Sequence, residues 1–331
     1  YRVAQAFFEE GCEGDAVFWL TKSAENGYAK AKTALAGRYE RGDGVREDVV
    51  RAAELYEQAK WQEAEAAFAL GECYRLGRGK PRDASLAFEN YLRAAHMGHA
   101  GGQYRTAFCY ETGEGTECNE TEAWAWYRLA AAGGDAHAAF RAFCLKPSAS
   151  EGLLAQAVRG EDGEALCLYG KSVLREKPAE GCLSLRKSAE SGFAQGMYEY
   201  ARCLLTGEGT QKDEKTAVAW LKKALERGVA EAERLYADCL SSGTGTDRNA
   251  KLAAYHYEML AENGDVSAQL TTGDNYRYGR GVNVNYRRAY SWYLSSAQSG
   301  NGEAMYKLAV CLFDGIGVEK DTESAFFWMK K

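Results

Sequence analysis

A Gly-x-Gly pair recurs along the chain at nearly constant spacing, and this regularity constrains the fold more than any other feature of the sequence. The first glycines of the pairs are Gly42, Gly77, Gly113, Gly207, Gly243, Gly279 and Gly315, separated by 35, 36, 94, 36, 36 and 36 residues. A fixed period of this size belongs to stacked supersecondary units, each of which buries its apolar face only against its neighbours. The interval of 94 residues is wide enough for two further units that lack the glycine loop.

Other residues keep the same register. Six positions after the first glycine stands Asp48, Asp83, Asn119, Asp213, Asn249, Asn285 or Asp321. A side-chain oxygen in that place caps a starting helix by accepting from its unpaired backbone N–H groups. Ten positions after the glycine stands Ala52, Ala87, Ala123, Ala217, Ala253, Ala289 or Ala325; six before it stands Ala36, Gly71, Ala107, Ala201, Ala237, Gly273 or Ala309. One small residue on each helix of a pair lets the two backbones approach closely. Leu55, Trp126, Trp220, Trp292 and Trp328 share a slot three residues beyond the second-helix alanine, with Tyr56, Tyr91, Tyr127, Leu221, Tyr257 and Tyr293 close by. A further glycine, at Gly98, Gly134, Gly228, Gly264 and Gly300, follows the second helix where a left-handed C-cap is wanted. Each unit therefore reads as helix, glycine loop, capped second helix and glycine turn. With only three prolines in the chain, little interrupts these helices, and the expected fold is all-α.

The stretch Ala304–Trp328, with its small residue, glycine pair, aspartate, alanine and tryptophan in register, resembles the Sel1-like repeat, a relative of the tetratricopeptide repeat with a longer inter-helix loop. The resemblance extends over nearly the whole chain and implies a right-handed α-α superhelix spanning residues 1–331, of about nine helix pairs with the outermost incomplete. A tetratricopeptide array proper fits the 36-residue spacing and its glycine pair less well. The pattern fails between about Phe140 and Glu176, where Lys146–Ser150 and Arg175–Pro178 replace two glycine loops. The units over 140–192 are thus expected to be degenerate and shortened, with a bend or change of pitch and weaker local stability. The chain opens at Tyr1 without a methionine, and its last helix runs to Lys331 without an evident cap. A fragment of a longer protein, with both ends truncated, or a processed form is the expectation.

A net charge of −6 argues against broad affinity for nucleic acid, which needs clustered Lys and Arg. No run of about 18 apolar residues is present, so no membrane-inserting helix is expected. Cys73, Cys109, Cys203, Cys239 and Cys311 occupy one slot four residues before the glycine, a regularity that fits buried thiols of a repeat rather than a disulfide framework. A disulfide-rich branch of the family places cysteines seven residues apart across the inter-repeat turn, where this chain has pairs such as Ala131/Ala138. Unpaired thiols favour a reducing, cytoplasmic compartment, although many relatives are exported, and the location stays open.

Catalytic or metal chemistry finds little support. His96 and His99 straddle Gly98 and need not share a face, His137 stands alone, and His256 takes a slot held by Trp elsewhere. No CxxC spacing occurs, so neither a metal site nor a cofactor is expected. A Ser-x-x-Lys match at Ser184–Lys187 lacks the Lys-Thr-Gly partner motif of penicillin-recognising enzymes. The Gly-x-Gly loops follow helices and do not open the strand-to-helix turn of a dinucleotide fold.

In arrays of this kind the first helices line a concave surface. Positions 11, 7, 6 and 3 before the glycine form the buried face, which turns positions 9, 5 and 2 toward that groove. The candidate partner-binding residues are Phe68, Glu72, Arg75, Tyr104, Phe108, Glu111, Tyr198, Arg202, Arg234, Asp238, Asp274, Arg277 and Tyr306. Aromatic rings among Arg and carboxylates suit a peptide-binding surface; equally, neighbouring helices could bury the rings against each other. The expected function is a non-catalytic protein-interaction scaffold holding a partner peptide or helix. Two alternatives stand beside it: a weak hydrolase of the penicillin-binding or β-lactamase-like kind, a property described for some Sel1-like proteins, and a structural array that associates with itself.

Overall fold

The computed structural model describes residues 1–150 and 152–331. Among the described residues there are twenty α-helices, one short 3-10 helix (Pro147–Ala149) and no strand. The chain divides into two compact units, Tyr1–Ala165 and Leu166–Lys331. The first holds the antiparallel neighbours α1 (Arg2–Glu9) and α2 (Glu13–Glu25), α3 (Ala29–Arg41) and α4 (Val49–Ala59), α5 (Ala64–Leu76) and α6 (Ala84–His96), α7 (Ala100–Thr112) and α8 (Glu120–Ala132), then α9 (Ala136–Leu145) and α10 (Leu153–Arg159). The boundary falls inside α11 (Gly163–Val173). The second unit continues with α12 (Pro178–Glu190), α13 (Ala194–Thr206), α14 (Glu214–Glu226), α15 (Ala230–Ser242), α16 (Ala250–Glu262), α17 (Val266–Tyr278), α18 (Tyr286–Gln298), α19 (Gly302–Asp314) and α20 (Thr322–Lys330). Among the described residues, ten helix pairs form where the glycine spacing leads one to expect about nine. The additional pair is α1–α2, whose short turn at Gly11 carries no glycine pair to announce it.

The repeat chemistry explains the pairs. All seven Asp or Asn residues of the loop slot cap their helices; Asp83, for example, accepts from Leu86 N at 2.9 Å and Asp321 from Ser324 N at 2.9 Å. The N–H of each capping residue in turn donates to the last aromatic or leucine slot of the preceding helix, as in Asp83 N to Tyr74 O at 3.0 Å and Asn285 N to Tyr276 O at 2.8 Å. Each loop is thereby closed by its own cap. All seven second-helix alanines are buried.

The small slot on the first helix faces the tyrosine of the second. A Cβ added to Gly71 would lie 2.6 Å from the ring of Tyr91, and one on Gly273 would lie 2.5 Å from Tyr293. Tyr91, Tyr127 and Tyr293 are at most 1% exposed, so each places a whole ring in the seam of its pair, worth roughly 1.5–3 kcal/mol per side chain of this size.

The two glycines of a loop have different tasks. Gly243 ends α15 in the left-handed conformation (φ 83°) and donates to Cys239 O at 2.8 Å. Gly245 is also left-handed (φ 66°), but a Cβ there would lie only 2.1 Å from Glu214 O, at the start of the preceding repeat's second helix. The same approach recurs at Gly79 with Val49 O, Gly115 with Ala84 O, Gly281 with Ala250 O and Gly317 with Tyr286 O, at 2.0 to 2.1 Å. The second glycine is therefore the place where one repeat sits on the last.

Between Phe140 and Glu176 the elements shorten: α9 has 10 residues, α10 has 7 and α11 has 11, against 13 in most helices of the regular repeats. Among the described residues, no helix is long and apolar enough to cross a membrane.

Candidate interaction surface

Three adjacent slots of the first helices carry the candidate residues, and the structure links most of them to one another. Glu72 accepts from Tyr91 Oη at 2.7 Å, from Arg75 Nε at 3.2 Å and from Arg105 Nε, one repeat on, at 3.1 Å. Burial pushes the Glu72 carboxyl up, but the hydrogen bonds from Arg75 and Tyr91 and the Arg105 charge outweigh it and hold the group below the usual range. Glu111 takes the same part with Tyr127 Oη at 2.7 Å and with Arg141. Asp274 accepts from Tyr293 Oη at 2.7 Å and pairs with Lys307 Nζ at 2.7 Å. Asp238 accepts from Tyr257 Oη. A carboxylate on one first helix, the tyrosine hydroxyl of its second helix and a cation from the following first helix thus form a recurring ladder. The ionised carboxylate makes each of these bonds shorter and stronger than one between neutral partners.

Unit two also contains a rung of inverted charge. Arg202 donates to Glu199 at 2.8 Å, and Lys171 reaches Glu199 at 3.1 Å. Arg234 pairs with Asp265 at the start of α17.

The aromatic residues divide. Phe68 stacks on His99 with ring centroids 4.5 Å apart, and Tyr104 meets Tyr127 edge-on at 5.5 Å. Tyr198 lies beneath the Arg202 guanidinium at 5.9 Å, and Phe108 is half-buried. Tyr306 is 60% exposed. Arg277 lies over the exposed ring of Tyr278 at 5.5 Å.

The sequence pattern marks the second-helix tyrosines as packing residues and does not single out Arg105, Arg141 and Lys307. Two of these cations sit eight residues before their loop glycine, Arg105 before Gly113 and Lys307 before Gly315. That spacing is the signal by which sequence alone could find them.

The ladder uses two slots: in α3 the slot of Glu72 and Asp274 holds Gly37, and Tyr56 donates to Glu40, 3.0 Å away, in the slot that Glu111 takes in α7. Burial and Glu40 together push the Tyr56 phenol well above its ordinary value. Around Gly37 opens a cavity of about 930 Å³ lined by residues that include Tyr28, Lys30, Arg41, Tyr56 and Glu65.

The remaining chemistry-bearing side chains serve structure. His99 accepts from Gly102 N at 3.0 Å through Nδ1 and donates to Glu65 at 2.9 Å through Nε2, so it caps α7 and ties it to α5. His137 donates from Nδ1 to Asp162 at 2.8 Å, and Asp162 in turn caps α11 through Ala165 N. That hydrogen bond raises the His137 pKa above its ordinary value against the opposing effect of burial. His256 lies 3.1 Å from Glu233, and His96 meets the Trp126 ring edge-on. Cys73, Cys109, Cys203, Cys239 and Cys311 are buried with free thiols. Burial pushes the Cys73 thiol up to about 11 and Cys109 up to about 12, which leaves them protonated near neutrality. Ser184 is buried in α12, whereas Lys187 is exposed. Among the described residues, no group of three or more His, Cys, Asp or Glu side chains is placed to hold a metal ion.

Comparison with known proteins agrees with this repeat architecture. The Sel1 repeat model matches residues 13–28, 29–60, 64–99, 100–135, 194–229, 230–265, 266–301 and 302–331, leaving unmatched the stretch in which the helices shorten. The chitin synthase regulator SKT5 of Saccharomyces cerevisiae is 35% identical over 122 residues, which cover 35% of this chain and 17% of that protein. This chain thus spans about a sixth of the length of that relative. Among solved structures, c5321, a protective antigen present in uropathogenic Escherichia coli strains and displaying an SLR fold, superimposes with a TM-score of 0.78 at 27% identity. That match covers 96% of this chain and 71% of c5321. With eight matched repeats over most of its length, and the same helix-pair solenoid fold, the chain belongs to the Sel1 repeat family.

Proposed function

We propose that the chain is a non-catalytic interaction scaffold whose first-helix surface receives an extended segment of a partner protein. The observation that carries this reading is the division of labour on that surface. Where the ladder runs, Glu72, Glu111 and Asp274 are satisfied internally and fix the spacing of the helices. Beside Gly37, which carries no side chain into the surface, a recess with tyrosine walls and charged groups is open to solvent. Rigid aromatic and charged side chains around a recess suit recognition of a partner chain.

The relative SKT5 is named as a regulator of an enzyme, chitin synthase. A regulatory, non-catalytic role for the present chain is in keeping with that likeness and with the protonated, buried state of its repeat cysteines.

Selection of peptides from a randomised displayed library tests the reading, with the footprint of the selected peptides mapped by hydrogen exchange. The expected result is enrichment of a recurring motif with slowed exchange on first helices. No enrichment, or a footprint confined to the glycine loops, would overturn it.

A further inference from the structure

We infer that Cys182 and Cys203 form a peroxide-responsive thiol pair, which closes to a disulfide that staples α12 to α13. Both side chains are almost wholly buried and belong to one packed cluster with Cys167 and Leu185. The Cys203 thiol donates a hydrogen bond to the Cys182 sulfur. The loop that follows α13 closes over them: Gly207 N donates to Cys203 O at 2.8 Å, and a Cβ on Gly209 would lie 2.8 Å from Cys182 Cβ. The repeat register sets this seam apart. Cys203 takes the first-helix slot that Cys73, Cys109, Cys239 and Cys311 take elsewhere. On the preceding second helix, the slot five residues past the cap position holds Ala53, Phe88, Val218 and Tyr290 in those four repeats, and Cys182 here.

The two thiols have unequal parts. The hydrogen bond from Cys203 lowers the Cys182 thiol below its ordinary value; burial opposes this, Arg186 one turn along α12 reinforces it, and Glu208 counts against it. The same bond, together with burial, holds the proton on Cys203. Cys182 is therefore the attacking thiolate and Cys203 the resolving thiol. The oxidant is hydrogen peroxide, small enough to enter the seam during local opening. The Cys182 thiolate attacks one peroxide oxygen, the O–O bond breaks, and the departing hydroxide collects the proton that Cys182 released. Cys182 is then a sulfenic acid. The Cys203 sulfur attacks the Cys182 sulfur, the S–O bond breaks, and the second hydroxide leaves with the Cys203 proton as water. The thiol pair gives up two electrons, and the peroxide ends as two waters. The staple falls where the array is irregular. Helix α12 starts at Pro178 with Lys177 in the cap position and no side-chain cap, behind an α11 of 11 residues. A covalent tie to α13 fixes it to the repeat that begins at residue 194.

The test treats the whole reduced chain, freed of reductant, with hydrogen peroxide and maps its cysteines by mass spectrometry. The exposed Cys12, Cys118 and Cys144 report the supply of oxidant. The expected product is a cross-linked Cys182–Cys203 peptide pair lacking two hydrogen atoms. It should form about tenfold faster than any oxidation of the buried Cys73, Cys109, Cys239 or Cys311. Oxidation should raise the urea midpoint of the native chain but not of Cys203→Ser, and dithiothreitol should restore the original value. Cys203→Ser should leave Cys182 as a sulfenic acid that dimedone traps, whereas Cys182→Ser should leave Cys203 untrapped. The mapping uses the native chain, so it decides the pairing even where a variant fails to fold. Cys182 and Cys203 that stay reduced while the exposed thiols oxidise overturn the inference. So does their oxidation at the pace of Cys73 and Cys109, or a cross-link from Cys182 to Cys167 in place of Cys203. An unchanged midpoint overturns the staple, and trapping in the reverse order overturns the assigned parts.

Discussion

Gly245 approaches the preceding repeat so closely that a Cβ on it would stand 2.1 Å from the carbonyl oxygen of Glu214. Gly228, equally left-handed, has open space around its missing Cβ. The two positions therefore separate conformational strain from inter-repeat packing. Gly228→Ala should cost about 1 kcal/mol, the penalty of a left-handed alanine alone. Gly245→Ala should cost ~3 kcal/mol or more, because the backbone contact between repeats must also open. Urea unfolding of the two variants checks this, and equal losses would show that the second glycine has no stacking role.

A second prediction concerns two buried hydroxyls. Thr106 and Thr272 occupy the same slot seven residues before the glycine, are at most 1% exposed, and their Oγ1 atoms lack a hydrogen-bond partner among the described residues. Burying an unpaired hydroxyl costs about 1–3 kcal/mol. Valine has nearly the same shape, so Thr106→Val and Thr272→Val should each raise stability, by about 1 kcal/mol. A drop in the urea midpoint for both variants would indicate that each hydroxyl has a partner in solution.

The repeat is legible in the sequence because its determinants are local. Asp213 followed at fixed spacing by Ala217 states a cap and a close contact within five residues, and both appear in the structure. The bonds that connect Glu72 to Tyr91 and Arg105 join residues 19 and 33 positions apart, and the sequence offers for them only the register of Arg105 with its loop glycine, not the pairing itself. For that reason Glu72 reads from sequence as facing a groove but not as already engaged. Periodicity alone puts Gly37 in its slot. Its significance lies in what Tyr56 and Arg41 do around it, which depends on side-chain geometry. The irregular region is legible as lost pattern and shortened units, whereas the bounds of the 7-residue α10 are not.

The engaged state of Glu72 leads to a third prediction. Glu72→Ala removes the acceptor of the buried Tyr91 hydroxyl and the partner of Arg75 and Arg105. It should destabilise the first unit by about 1–3 kcal/mol. The double variant Glu72→Ala with Tyr91→Phe should recover part of the loss, since no buried hydroxyl is then left unpaired. Additive losses in the double-mutant cycle would contradict the ladder.

The fourth prediction concerns pH. The hydrogen bond to Asp162 raises the His137 pKa in the folded chain above its unfolded value of about 6.5. A raised folded-state pKa stabilises fully below the unfolded value, and the contribution fades as pH rises through the folded one. The stability gap between the native chain and His137→Asn should therefore be wide at about pH 5.5 and narrow at about pH 8.5. A gap that widens with pH would reverse the sign and refute the pairing.

Everything proposed for the first helices turns on which surface a partner touches. Hydrogen exchange of the whole chain, with and without a peptide enriched by display, reads that surface directly. The predicted result is slowed exchange on α3 and the start of α5, around Gly37, with the Gly-x-Gly loops unchanged. Slowed exchange confined to the second helices or to the loops would contradict it.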